Sequence, residues 1–210
     1  MTQLLEFAHR QEASAHAAQL LAKAIREVQL QAGRAAIAVS GGTTPAQCFE
    51  LLSQQSLNWA DVDVTVTDER CVPADHPDSN ERLVRQTLMT GAAAQAQFLP
   101  LERLESCNKA FAAVLLGMGA DGHFASLFPD AEQLADGLDL SNTMPLLQVR
   151  TAASPYARLS LTLNRLLHTH QLLLLMFGED KRAVLEAPDG LPIAALLRQQ
   201  QIEPVVIWAP

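Results

Sequence analysis

Ala35-Ala36-Ile37-Ala38-Val39-Ser40-Gly41-Gly42-Thr43-Thr44-Pro45 decides how the chain is read. Five apolar residues in unbroken succession are the pattern of a strand covered on both faces, as in parallel sheets. The run stops at a Ser-Gly-Gly-Thr-Thr loop, and Pro45 suits the first turn of a helix over 47–55. Upstream, Ala13, Ala17, Leu20, Leu21, Ala24, Ile25 and Val28 fall on one stripe of a helix over 12–31, and Gly33 ends it. Downstream the logic recurs. Val62-Asp63-Val64-Thr65-Val66 is β-branched and strand-like, and the polar loop after it leads to a helix over 81–89. A third apolar run, 112–116, enters Gly117-Met118-Gly119-Ala120-Asp121-Gly122-His123. Further strands are expected at 146–149, 158–162, 172–177 and 204–208, with helices over 179–187 and 191–200. Strands alternating with helices predict an α/β fold with a parallel sheet wrapped on both faces. No linker, repeat or low-complexity tract interrupts it, so one domain over 1–210 is expected.

Composition agrees with a packed globular chain. The 210 residues are 49% hydrophobic and 18% charged. Fifteen basic against 23 acidic residues give a net charge of −8, which argues against nucleic-acid or anionic-membrane partners. An anionic substrate must then be held by a local cluster of cations. Cys48, Cys71 and Cys107 are too few and scattered for a disulfide framework or a metal site. The N-terminal MTQLLEFAHRQEAS lacks a basic region followed by an apolar one, and no apolar run reaches the roughly 18 residues of a membrane span. A soluble, cytoplasmic protein is the expectation.

Ligands of open α/β sheets bind beyond the carboxyl ends of the strands. Three unusual loops fall there: SGGTTP at 40–45, TDERCVP at 67–73 and GMGADGH at 117–123. In the first, glycines admit close backbone approach, hydroxyls add donors and a helix N-terminus favours an anion. The alternative is an ordinary strand-to-helix turn. The third satisfies G-x-G-x-x-G with Gly117, Gly119 and Gly122, and Asp139 follows about 20 residues on, as a dinucleotide site requires. Against that reading, Pro129 leaves room only for a short helix over 123–128, and no clear strand presents Asp139. His123, beside Asp121, is a candidate general base or a helix cap. His9, His16, His168 and His170 read as solvated, and His76 as a loop-shaping residue. Arg70, Arg158 and Lys181 stand near strand ends as candidate anion contacts, each with a solvated surface position as the alternative.

These residues resemble the 6-phosphogluconolactonases. The matching blocks are SGGTTP at 40–45, TDERCVPADHPDSN at 67–80, LLGMGADGHFASLFP at 115–129 and RLSLTL at 158–163, with Gly-x-x-Lys at 178–181, LPIAALL at 191–197 and a final WAP. The resemblance implies an open, mostly parallel Rossmann-like sheet and hydrolysis of 6-phospho-D-glucono-1,5-lactone, with no cofactor and no metal. It implies His123 as general base and Arg70 and Lys181 near the substrate phosphate. Gly41, Gly42, Thr43 and Thr44 fall in the loop lining the sugar-phosphate site, and Arg158 is a further anion contact. Asp121 is expected to orient His123, and Asp68 to contact sugar hydroxyls. The partner implied is the small phosphosugar lactone, with the chain a monomer or homodimer.

Three features depart from the family pattern. Thr43 stands where Ser is usual, and Phe124 where Thr is usual. The segment 98–113 is short, with Lys109-Ala110-Phe111-Ala112-Ala113 where relatives carry a helix and an acidic residue, so exposed apolar surface is expected beside the Gly-rich strand. Two rival readings stand: a glucosamine-6-phosphate deaminase or isomerase, and a sugar-phosphate-binding protein without turnover. Arg70, where the deaminases carry Tyr, and the ASLFP block at 125–129 favour the lactonase.

Overall fold

The computed structural model describes residues 2–106 and 109–210, so Cys107 lies outside the described residues. Seven strands build the central sheet: β1 (Gln3–Glu6), β2 (Ala35–Val39), β3 (Val62–Val66), β5 (Gln97–Phe98), β6 (Ala113–Leu116), β9 (Leu172–Phe177) and β10 (Pro204–Ala209). Their order is β1-β10-β9-β6-β2-β3-β5, and every pairing is parallel. The inner strands β6 and β9 are buried almost throughout, which is why they read as unbroken apolar runs. Both edges are short, four residues in β1 and two in β5, which limits unpaired backbone.

Between β1 and β2 runs α1 (Arg10–Ala32), which packs against β2, β6, β9 and β10. Its 23 residues rise about 34 Å at ~1.5 Å each, ample to cross the four strand spacings separating β1 from β2. Ala13, Ala17, Ala18, Ala22 and Ala24 line its buried face, and small side chains let it lie close to the sheet. Gly33, at φ +77°, closes it by donating its N–H to Gln29 O. The remaining helices are α2 (Ala46–Ser53), α3 (Asn80–Thr87), α4 (Leu134–Leu138), α5 (Leu163–Leu167), α6 (Glu179–Glu186) and α7 (Ile193–Arg198). No described helix is long and apolar enough to cross a membrane.

The strands expected at 146–149 and 158–162 exist, but they stand outside the parallel sheet. β7 (Leu146–Val149) and β8 (Arg158–Leu161) join β4 (Asp68–Arg70) in a separate antiparallel sheet of order β4-β8-β7. In its register Asp68 faces Ser160, and Arg70 faces Arg158.

Two expectations are corrected. Residues 123–128 form no helix. Phe124 bridges back to Leu127, and Ala125 takes a positive φ of 48°, a turn that a helix cannot contain. Nor does the short 98–113 stretch leave its described large apolar residues open: Phe98, Leu101, Leu104 and Phe111 are buried, and Leu99 is half-buried against the core. Phe111 bridges to Thr169, and the Arg165 guanidinium lies 3.8 Å from the Phe111 ring while donating to Lys109 O. An arginine from α5 thus packs over part of the stretch that was expected to lie open.

Candidate active site

Strand order reverses between β2 and β6: the chain runs from β2 to β3 and β5 on one side, and from β6 to β9 and β10 on the other. Loops leaving neighbouring strands at such a switch point diverge and open a crevice. Here the crevice is a cavity of about 600 Å³ between Ser40–Thr44 after β2 and Gly117–His123 after β6. Asp68 and Arg70 enter from β4, Arg158 from β8 and Lys181 from α6. All ten candidate residues from the sequence line this one cavity.

The Gly117–His123 loop is folded tightly on itself. Gly119 N–H donates to His123 O, Gly122 N–H donates to Gly119 O, and Gly122 sits at φ +75°. Gly122 O in turn accepts from Ile193 N–H, so the start of α7 braces the loop. The imidazole folds back over Gly119, where a Cβ would stand 2.3 Å from the ring. His123 Nδ1 lies 2.5 Å from Asp121 Oδ1. A carboxylate accepts, so Nδ1 carries the hydrogen, and in the neutral imidazole the lone pair is then on Nε2. The Phe128 ring stacks on the imidazole at 4.1 Å between centroids.

This geometry removes the dinucleotide reading. Two of the three glycine N–H groups that would face a pyrophosphate are consumed within the loop, and no helix begins at its end. Asp139 ends α4, exposed, where hydrogen bonds from Ser141 hold its carboxyl below the usual range.

The cations divide into two kinds. Arg158 is neutralised within the protein: its Nη1 lies 3.4 Å from Asp68 Oδ2, and its guanidinium rests 5.3 Å from the Phe128 ring centre. Burial lowers its pKa from the ordinary value, the Asp68 charge opposes that, and the Arg70 charge adds to it. Asp68 is itself buried, accepting from Ser126 Oγ at 2.5 Å as well as from Arg158. Its oxygens are therefore engaged by protein groups rather than standing free for sugar hydroxyls. Arg70 and Lys181 form no ion pair among the described residues; the Arg70 guanidinium donates there only to the Asp78 carbonyl, and its Nε is buried without a partner. The Ser40 hydroxyl at the cavity wall is likewise buried and unpartnered. Two cations without an ion pair among the described residues and an unsatisfied hydroxyl thus line one cavity, in a chain of net charge −8.

Of the departures, Thr43 lines the cavity, whereas Phe124 is fully buried in the core and absent from the lining. The sequence reading missed Asn80, Ser126 and Phe128. All three sit inside the matching blocks, but their importance comes from contacts across the fold.

A family model described as glucosamine-6-phosphate isomerases/6-phosphogluconolactonase matches residues 8–203. The chain belongs to this family. A 6-phosphogluconolactonase of Caulobacter vibrioides is 40% identical over 97% of this chain and 95% of its own length. One of Mesorhizobium japonicum is 41% identical over 85% of this chain and 83% of its own. Among solved structures, a 6-phosphogluconolactonase of Shewanella baltica superposes with a TM-score of 0.95 at 32% identity, covering 100% of this chain and 98% of that one. The family fold, a mostly parallel α/β sheet, is the one observed.

Proposed function

We infer that the chain hydrolyses 6-phospho-D-glucono-1,5-lactone to 6-phospho-D-gluconate, the lactonase step of the oxidative pentose phosphate pathway. The observation that carries this reading is that an imidazole whose Nδ1 is engaged by Asp121 and two cations without an ion pair among the described residues line one cavity. Arg70, Lys181 and the Gly41–Thr44 loop grip the phosphate and thereby place the ring. His123 Nε2 takes a proton from water, and the resulting hydroxide adds to C1. The tetrahedral oxyanion is stabilised by Arg158 and nearby N–H groups, each good donor contributing about 3 kcal/mol. As the oxyanion collapses, the bond from C1 to the ring oxygen breaks, and the imidazolium returns its proton to that oxygen as the C5 hydroxyl. Asp121 fixes the tautomer throughout. A lactone is an activated ester, so no nucleophilic side chain, metal or cofactor is called for.

One domain over 1–210 carries this activity in the cytoplasm, as a monomer or homodimer, without nucleic acid or membrane. The test is hydrolysis of freshly generated phospholactone measured against its spontaneous decay, with His123→Ala alongside. Acceleration that collapses in the variant supports the reading. A wild type no faster than buffer refutes the lactonase, and a fully active variant refutes the base.

A further inference from the structure

We propose that Asn80 is a positioning residue whose side-chain amide sets the spacing between the two halves of the phosphate grip. The inference rests on the reading of Gly41–Thr44 and Arg70 as that grip. Asn80 is 3% exposed, yet it lines the cavity. Its Nδ2 donates to Asp68 O at 2.7 Å, which fixes the amide's orientation and turns Oδ1 the other way. On that side stands Gly41: a Cβ built there would lie 1.9 Å from Asn80 Oδ1 and 2.2 Å from Cγ. The amide therefore fills the space that any side chain at position 41 would need. Glycine at 41 is explained by this close approach.

The backbone of Asn80 is held to the same strand. Its N–H donates to Glu69 Oε1 at 2.8 Å, and Glu69 also accepts from Arg70 N–H at 2.8 Å, Glu81 N–H at 2.7 Å and Ser79 Oγ at 3.1 Å. Glu69 thus ties the first turn of α3 to β4 immediately beside Arg70. With its backbone fixed to β4 and its amide pressed on Gly41, Asn80 is a spacer between the glycine loop and Arg70. His123 hangs on a different loop, braced by α7. Disturbing Asn80 is accordingly expected to weaken phosphosugar binding and to leave the chemical step nearly intact.

A double-mutant cycle tests this. Wild type, Asn80→Ala, Gly41→Ala and the double variant are titrated calorimetrically with 6-phosphogluconate, and kcat and KM are measured on the phospholactone. Loss of the buried donor and spacer should weaken binding about tenfold in Asn80→Ala. Gly41→Ala should weaken it at least as much, because the new methyl has nowhere to go. The double variant should bind no worse than Asn80→Ala, since removing the amide opens room for the methyl, and in Asn80→Ala the loss should fall on affinity and KM far more than on kcat. Additive losses, or a fall in kcat at unchanged affinity, overturn the proposal. Should Asn80→Ala melt below the assay temperature, Asn80→Asp keeps the shape, removes the donor and adds negative charge; unchanged affinity there overturns it equally. Binding is read without turnover, so a wild type that binds 6-phosphogluconate but fails to hydrolyse the lactone refutes the lactonase reading alone.

Discussion

Arg70 and Arg158 face one another directly across the β4–β8 ladder. Like charges opposite each other on a sheet repel, and among the described residues Arg158 has a carboxylate, Asp68, to offset it while Arg70 has none. A phosphate bound as proposed would relieve this unfavourable pairing. Inorganic phosphate or 6-phosphogluconate is expected to raise the melting temperature, by an amount equivalent to about 2.7 kcal/mol at a hundred times the dissociation constant. Arg70→Gln should lose that ligand-dependent rise, while its ligand-free stability stays within about 1 kcal/mol of wild type because relief of repulsion offsets the lost contact to Asp78. Thermal melts with and without phosphate decide it. A variant that retains the full ligand-dependent rise shows that Arg70 is not the phosphate cation.

One ring connects Arg158 to His123. Phe128 stacks on His123 on one hand and receives the Arg158 guanidinium on the other. Phe128→Leu keeps apolar bulk but loses both aromatic contacts, of which the stack is worth about 1 kcal/mol. The expected result is a fall in kcat of about three- to tenfold with KM changed less, since the phosphate grip does not involve Phe128. Steady-state kinetics in which KM rises and kcat holds would argue that the ring serves binding instead.

Gly119 makes a sharper prediction. A methyl there would stand 2.3 Å from the imidazole and 2.5 Å from Asp121 Oδ1, so it must displace the pair. The site is a loop of ordinary φ, and the strain falls on the exposed carboxylate and the partly exposed ring rather than on the core. Gly119→Ala should cost about a hundredfold in kcat, the usual consequence of misplacing a reacting group by an ångström. 6-Phosphogluconate affinity should change little. Activity within threefold of wild type would mean that His123 need not occupy the observed position.

Much of this arrangement is legible in the sequence because it is local. The strand cores at 35–39 and 112–116 are unbroken apolar runs and 62–66 is β-branched, and the loops after these three carry residues that line the cavity. What escapes is set by long-range contacts. β1 has only Leu4 and Leu5 between polar flanks, and it becomes a strand because β10 offers it a parallel edge. β4, with the sequence Asp-Glu-Arg, has no strand signature; it pairs because β8 supplies a partner nearly ninety residues away. The turn at 123–128 resisted the helical expectation through Ser126, whose N–H donates to Ser160 and whose hydroxyl donates to Asp68. Asn80 reads as an ordinary helix-start residue until Gly41 is seen beside it. Asp68, expected to meet sugar hydroxyls, is already committed to Ser126 and Arg158.

Phe124 is the departure whose consequence reverses between sequence and structure. As a neighbour of His123 in the chain, an aromatic ring in place of the family's Thr implies an altered base. In the fold its side chain is fully buried, among the largest such groups in the core, and it does not touch the cavity. Phe124→Thr should therefore act on stability and spare catalysis. Removing most of a buried ring leaves a void, and the hydroxyl enters an apolar site, so a loss of about 3 kcal/mol is expected. For a chain of this size that is a drop of roughly 6–12 °C in melting temperature. At 20 °C, with the variant still folded, kcat should match wild type within about twofold. A stability unchanged by the substitution would place Phe124 outside the core, and a large fall in kcat in a folded variant would restore it as a direct influence on the base.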